Sequence, residues 1–347
     1  MSTIRVGFVG LGANCRLRHV PGLREQEDVE IVGVANRSPE STKATAEEFG
    51  IPKTFERWED LVADSEIDAV VVGTWPYLHC PITLAALEAG KHVLCEARMA
   101  MNVYEARRML TAAGKHSKLV TQIVPSPFGF RAGAVVKERL AAGYIGTLRE
   151  VVVLGTNDAL ADPETPHHWR QNAEYSGLNM LVLGILHETL IRWVPDPVRV
   201  MAQTQTYTKT RQVNGQPRPV ETPDSVHVLT ELPDGARGVY HLSSAIYHST
   251  GMQIHLYGSQ GTLKYELAPE DRLLGASKGD STLAAIPIPD DQVSGWRVEE
   301  EFIRAIRGQE RIKLTDLATG VRYMEFTEAV ARSAQTGQAV SLPLGKW

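Results

Sequence analysis

Ile4-Arg5-Val6-Gly7-Phe8-Val9 runs directly into Gly10-Leu11-Gly12-Ala13-Asn14-Cys15, and a helical pattern follows. A short apolar run of this kind reads as a strand buried on both faces. The glycines at 10 and 12 permit a tight turn and close backbone approach to a ligand, while the next helix starts with unpaired N–H groups. Strand, Gly-x-Gly turn and helix in this order suit a dinucleotide pyrophosphate. Cys15 takes the slot of a third glycine, a small residue compatible with helix-to-strand packing. An ordinary strand-to-helix turn is the competing reading; the position inside a βαβ unit favours the dinucleotide.

Further β-rich runs recur at Val29–Ala35, Ala69–Val72, His92–Cys95 and Leu119–Val124. The helices between them are punctuated: Ser38-Pro39 opens one, Gly50 closes it, and Asn102 with Glu105 makes an Asn variant of the capping box. The fold expected is an α/β N-terminal Rossmann domain over residues 1–125, a doubly wound parallel sheet with right-handed crossovers.

After Pro125 the texture changes to an α+β domain, 126–347, with a large open and mainly antiparallel sheet. Strands are expected at 149–155, 199–206, 225–232, 238–244, 253–257 and 261–265, with helices at 131–142, 178–193, 297–307 and 317–335. Lys209–Pro223, polar and proline-bearing, reads as a long mobile loop. The final helix has the option of packing back on the first domain. An open sheet of this type is expected to pair two copies, giving a homodimer or homotetramer.

A chain of 347 residues is long enough for two cores, and its 22% charged content is that of a globular protein. The net charge of −5 argues against nucleic acid or an anionic membrane as partner. No apolar run approaches the roughly 20 residues of a membrane span. Ser2-Thr3 leads straight into the first strand without a signal-peptide pattern, so a cytoplasmic location is expected. Cys15, Cys80 and Cys95 lack metal-type spacing and His167-His168 are adjacent, so no metal is expected.

The second strand ends in Asn36-Arg37-Ser38, where NAD-binding versions carry a carboxylate that repels a 2′-phosphate. Asn36 removes the repulsion, and Arg37 and Ser38 offer a cation and a hydroxyl. NADP is favoured over NAD on this ground. The alternative has Arg37 stacking on the adenine and Ser38 only capping a helix.

These pieces together resemble the Gfo/Idh/MocA oxidoreductases along nearly the whole chain. Thr74-Trp75-Pro76-Tyr77-Leu78-His79 is similar to the family's Thr-Pro-x-x-x-His loop along the cofactor. Leu140–Leu148 is similar to the segment joining the domains, and His255–Leu263 to a late glycine-bearing strand-turn-strand. The resemblance implies cofactor contacts from Gly10, Gly12, Ala13, Asn14, Asn36, Arg37, Ser38, Thr74, Trp75, Pro76, His79, Glu96 and Gln122. It also exposes two departures. Glu96-Ala97-Arg98 stands where the family has Glu-Lys-Pro, so the lysine that moves a proton is absent. In the central helix, aligned on Gly184, Val182 and Leu186 occupy the positions of the family's substrate-facing Asp and His, with His187 one residue late.

Moving a hydride from a carbinol carbon requires a group to accept the hydroxyl proton. His187 is the first choice because imidazole has the best-matched pKa. Tyr175, with Arg98 as a cation to lower its pKa, is the rival, and His79 a third. The alternative for the His187-Glu188 pair is a solvated or hydrogen-bonded pair on the helix's other face. Tyr77, Trp169, Arg170, Asn179 and His187 are expected to meet a polyhydroxylated substrate. The family resemblance thus implies an NAD(P)-dependent oxidoreductase acting on a sugar, inositol or related compound. The alternatives are a redox-neutral glycosidase or lyase that recycles its NAD, and a non-catalytic NAD(P)-binding sensor.

Overall fold

The computed structural model describes residues 2–345. The chain forms two compact units, one built from the residues up to Pro125 together with Arg297–Val321, the other from Ser126–Trp296 and the chain from Arg322 onward. Arg297–Val321, expected in the second domain, therefore clusters with the first. Polar and packing contacts account for this. Gln122 Nε2 donates to Glu301 at 2.8 Å, and Gly320 lies so close to Met99 that an added Cβ would strike its Sδ at 2.5 Å.

The first unit carries β1 (Ile4–Val9), β2 (Val29–Ala35), β3 (Lys53–Thr54), β4 (Ala69–Val72), β5 (His92–Cys95) and β6 (Thr121–Ile123). They pair in parallel in the order β3-β2-β1-β4-β5-β6, so the sheet reverses direction of growth between β1 and β4. Ligands of such sheets bind beyond the carboxyl ends of the strands at this switch point. The connecting helices are α1 (Val20–Arg24), α2 (Pro39–Phe49), α3 (Trp58–Ala63), α4 (Pro76–Glu88) and α5 (Val103–Lys115). Ser38 Oγ accepts from the Ser41 N–H, a cap of about 1 kcal/mol, and Gly50 ends α2 in the left-handed region. Asn102 caps α5 through the Glu105 N–H at 2.9 Å; in return Glu105 Oε2 accepts from the Met101 N–H, one residue short of a capping box.

In the second unit α6 (Phe130–Ala141) precedes β7 (Leu148–Thr156), α7 (Ala173–Ser176) and α8 (Leu183–Leu190). There follow β8 (Arg199–Gln205), β9 (Thr210–Val213), β10 (Gln216–Pro219), β11 (Ser225–Glu231), β12 (Arg237–Ser243), β13 (Met252–Gly258), β14 (Gly261–Ala268), β15 (Arg272–Ser277) and β16 (Ala284–Ala285). The short β17 (Val340–Ser341) closes one edge of a nine-stranded sheet, order β16-β15-β14-β13-β7-β12-β11-β8-β17. Within it only β7 and β12 pair in parallel. Alternation sets its two faces: Val151 and Val153 are buried, while Met201, Leu229 and Val239, side by side in register, are exposed on the other face. α9 (Val298–Ile306) and α10 (Leu317–Thr336) complete the helices.

Two sequence expectations change here. The buried helix expected over 178–193 is regular only over Leu183–Leu190, and Leu181 holds a positive φ that keeps the helix from starting earlier. The loop expected over 209–223 is a β9–β10 hairpin. Its anchor is Arg211, fully buried, whose guanidinium donates to the carbonyls of Leu160, Asp162 and Thr165 at 2.7–2.9 Å.

Candidate active site

At the carboxyl ends of β1, β2 and β4 lies a cavity of about 660 Å³ lined by Gly10, Gly12, Asn36, Arg37, Ser38, Thr74, Trp75 and Tyr77, among others. Gly10 sits at φ +77°, and a Cβ there would strike Thr74 Cγ2 at 2.6 Å. Above Gly12 a Cβ would meet only the Gly73 carbonyl oxygen at 3.4 Å, so that glycine leaves its room to the cavity and not to protein. Cys15, in the third-glycine slot, is accommodated by its neighbour strand: a Cβ on Gly73 would overlap Cys15 Sγ. The larger residue in the helix is matched by the smallest one after β4. Thr74 Oγ1 is buried without a protein partner among the described residues, an orphaned polar atom at the wall of the cavity. Backbone room, an unpaired hydroxyl and helical N–H groups fit a dinucleotide.

Asn36 does not point its amide at open space. Its Oδ1 accepts from the Leu11 N–H at 2.8 Å and its Nδ2 donates to Thr45 Oγ1 at 2.9 Å, so the side chain ties the glycine loop to α2. Arg37 is exposed, with its guanidinium over the Trp75 ring at 5.5 Å, and Arg57 joins it on the cavity wall. Tyr77, expected at the substrate, lines this cavity instead. Pro76 is buried as the first residue of α4, beside Trp75 as its N-cap.

Two expected cofactor contacts are structural. His79 is fully buried, its ring nitrogens 2.9 Å from the carbonyl oxygens of Arg98 and Thr74, and burial lowers its pKa despite those bonds. Gln122 is also fully buried and spends its amide on Glu301. Arg98 is buried as well, and the Ala97–Arg98 peptide is cis. Glu96 follows β5. Its Oε1 accepts from Asn14 Nδ2 at 2.5 Å and faces His19 Nε2 at 3.0 Å, which brings Asn14 of the glycine loop and Glu96 together. His19 is a residue that sequence reading missed.

The second unit has its own cavity of about 500 Å³, lined by His167, Trp169, Tyr175, Arg218 and Glu221 among others. His168 and Asn172 cap the two short helical turns that present Trp169 and Tyr175. Arg170 is exposed, its guanidinium over the Trp169 ring at 4.4 Å. The cation on the wall of the Tyr175 cavity is Arg218, in place of the expected Arg98. Asn179, expected at the substrate, is buried and donates to the Ser176 carbonyl oxygen at 2.7 Å.

His187 must be reassigned. Its imidazole has no exposed surface; it stacks on Phe326 at 3.6 Å and its Nδ1 lies 2.8 Å from Tyr240 Oη. Nε2 faces Asp196 at 3.7 Å across a separate cavity of about 250 Å³ that shares no lining residue with the one holding Tyr175. Burial lowers its pKa, so it is held as a neutral core residue. Val182 and Leu186 pack towards β7, where a Cβ on Gly155 would strike both. Glu188, its neighbour, accepts from the Ser126 N–H and from Arg192. The helix therefore uses His187 for the other face, the alternative its one-residue offset left open.

A doubly wound parallel sheet with this loop and cavity defines a nicotinamide-nucleotide-binding α/β protein. Two family profiles agree: "Oxidoreductase family, NAD-binding Rossmann fold" matches residues 4–123, and "GFO/IDH/MocA C-terminal domain" matches residues 134–264. The chain belongs to the GFO/IDH/MocA oxidoreductase family, and it is an NAD(P)-dependent oxidoreductase. Among its relatives, 1,5-anhydro-D-fructose reductase of Ensifer adhaerens is 26% identical, with 98% of this chain and 99% of that one covered. Trans-1,2-dihydrobenzene-1,2-diol dehydrogenase of Mus musculus is 30% identical over 69% of this chain and 68% of its own length. A solved levoglucosan dehydrogenase in complex with NADH and L-sorbose superposes with a TM-score of 0.85 at 21% identity, covering 98% of this chain and 99% of that one.

Proposed function

We propose that this protein moves a hydride between a nicotinamide nucleotide and a carbinol carbon of a small polyhydroxylated compound of the sugar class. The observation that carries the reading is the cavity over Gly10, Gly12 and Thr74 at the switch point of the parallel sheet. The relatives named for sugar substrates, and the levoglucosan dehydrogenase complex, support the substrate class. When bound, the nicotinamide ring supplies the hydride acceptor or donor.

The chain's own residues supply binding and proton transfer. Gly10, Gly12, Ala13 and Asn14 take the pyrophosphate side, and Thr74 and Trp75 line the nucleotide. Arg37, with Arg57 and Ser38 on the same wall and no carboxylate at the end of β2, favours NADP(H), bound at least as tightly as NAD(H). In the second unit Trp169 and Arg170 offer an aromatic face and a cation to the substrate. Tyr175 exchanges the hydroxyl proton, the role that the absent lysine at Ala97 and the buried His187 leave open. Two copies pair through the exposed sheet face that carries Met201, Leu229 and Val239.

The test is oxidation of a panel of sugars and polyols by the purified protein with NAD and NADP, followed at the reduced nicotinamide absorbance. Turnover of any of them that vanishes in Tyr175→Phe supports the reading. Nucleotide binding with no turnover across the panel would sink it.

A further inference from the structure

Glu96 is held by a set of side chains that neither a cofactor contact nor a substrate contact requires. The turn before α1, Cys15–His19, is a π-helical turn in which the Val20 N–H reaches back to the Cys15 carbonyl oxygen. Such a turn holds one residue more than an α-turn. Arg18 stays partly exposed while His19 is fully buried at its end. The His19 Nε2 lies 3.0 Å from Glu96 Oε1, and its Nδ1 bonds Glu299 Oε1 on α9. Glu299 is itself buried and rests on Gly22, where a Cβ would meet its Cγ and Cδ at 2.9 Å. Asn14 Nδ2 adds a second hold on Glu96.

Ionised carboxylates only accept hydrogen bonds, so an imidazole that bonds one at each nitrogen must donate from both and carry a charge. Burial opposes that charge, but the bonds to Glu299 and Glu96 outweigh it and bring His19 up to about 9. Glu96 moves the opposite way: burial would raise it, and the His19 bond and charge hold it below the ordinary value. The other titratable groups facing this set are the Cys15 thiol, which burial keeps protonated, and His79 beside Glu96, which burial keeps neutral. Cys15, His19 and Glu96 also bring three metal-ligand atoms within 4.8 Å of one another. With both ring nitrogens engaged by carboxylates and the thiol protonated, the set is organised by hydrogen bonds.

We propose that His19 is a positioning residue for Glu96, fixed in turn by Glu299, and that the three form one charged unit aiming the Glu96 carboxylate at vicinal hydroxyls of the bound nucleotide. The chemistry follows from the exposed edge of Glu96: about one seventh of its side chain is exposed (14%), at the carboxyl end of β5 and touching the glycine loop, and among the described residues its Oε2 takes only the Ala97 N–H at 3.2 Å. A carboxylate there accepts from two adjacent hydroxyls, the pattern a ribose presents. The proposal rests on the functional reading above, since it needs a nucleotide at the glycine loop.

Two measurements on the full chain test it. Histidine imidazole NMR on wild type, His19→Gln and Glu299→Gln identifies the His19 resonance and its titration. A midpoint near 9 in wild type, moved to lower pH in Glu299→Gln, is expected. A midpoint near the ordinary value of about 6.5 for imidazole overturns the proposal whether or not nucleotide binds. Titration calorimetry with NADH and NADPH from about pH 7 to 10 then reads the consequence. His19→Gln is expected to weaken binding by roughly tenfold or more, the worth of a hydrogen bond to a charged group. Wild-type affinity is expected to fall as pH passes about 9, a limb absent from His19→Gln and shifted to lower pH in Glu299→Gln. Loss of structure alone would weaken binding without moving that limb. A flat wild-type profile, or the same limb in His19→Gln, overturns the positioning role and leaves the functional reading standing. Wild-type protein that binds neither nucleotide overturns both.

Discussion

Asn36 Oδ1 accepts a hydrogen bond from the Leu11 N–H at 2.8 Å, so the end of β2 and the glycine loop are one rigid piece. Either an amide or a carboxylate oxygen serves this bond. Asn36→Asp therefore keeps the loop in place and adds a negative charge on the cavity wall. It loses the Nδ2 bond to Thr45 Oγ1, which costs some stability of α2 packing. The expected result is a fall in NADPH affinity of roughly tenfold or more, with NADH affinity nearly unchanged. Calorimetry with both nucleotides measures it. Equal weakening of both would show that the loop has moved; a wild type that clearly prefers NAD would remove the basis for the NADP proposal.

Ala97 marks the missing lysine. Restoring the side chain with Ala97→Lys puts a cation into a segment whose neighbour Arg98 is already a buried cation. Like charges in a desolvated setting raise each other's cost. Turnover is expected to stay level or fall, and thermal stability to fall. Strong new dehydrogenase activity in this variant would mean that the site lacks only that one group.

Much of the fold was legible because its signals are local. Unbroken apolar runs marked the strands at Ala69–Val72 and His92–Cys95, and Ser38-Pro39 with Gly50 bounded a helix. The site was legible only where a residue acts through its own backbone or position, as at Gly10 and Gly12. Roles that depend on a partner far along the chain were not. Gly73 makes room for Cys15, three helices and three strands earlier, and His19 meets Glu299 across 280 residues. A π-turn leaves no composition signal, so the burial of His19 was unreadable. The β9–β10 hairpin was misread for a related reason: its polar residues suggested solvent, whereas Arg211 is buried by carbonyls of another loop.

Arg211 gives a prediction of its own. Its guanidinium satisfies carbonyl oxygens of the 160–165 segment and holds the hairpin whose Val213, Arg218 and Pro219 line the Tyr175 cavity. Arg211→Met keeps the bulk and orphans those carbonyls. The expected cost is roughly 3 kcal/mol of stability. Faster amide exchange confined to residues 160–165 and 210–219 is expected with it, and a higher KM with nucleotide affinity unchanged. Wild-type exchange rates in this variant would show that the clamp contributes nothing.

The last prediction separates Tyr175 from His187. His187 stacks on Phe326 and bonds Tyr240 Oη, so His187→Ala opens a gap and strands a buried hydroxyl. The expected cost is roughly 2–4 kcal/mol. Burial holds the folded pKa of His187 below the ordinary 6.5, so the unfolded chain takes up the proton first as pH falls. Its contribution to stability is thus complete above about pH 6.5 and is lost as pH drops towards the folded value. A wild-type melting temperature that falls on acidification, with a shallower fall in His187→Ala, is the signature. At a temperature where both variants are folded, His187→Ala is expected to turn over within about threefold of wild type. Tyr175→Phe, on the wall of its own cavity, is expected to lose roughly 10²–10⁴-fold in kcat with nucleotide affinity unchanged. The reverse outcome, a folded but inactive His187→Ala beside an active Tyr175→Phe, would return the proton to the histidine. It would also require the central helix to turn His187 out of the core during catalysis.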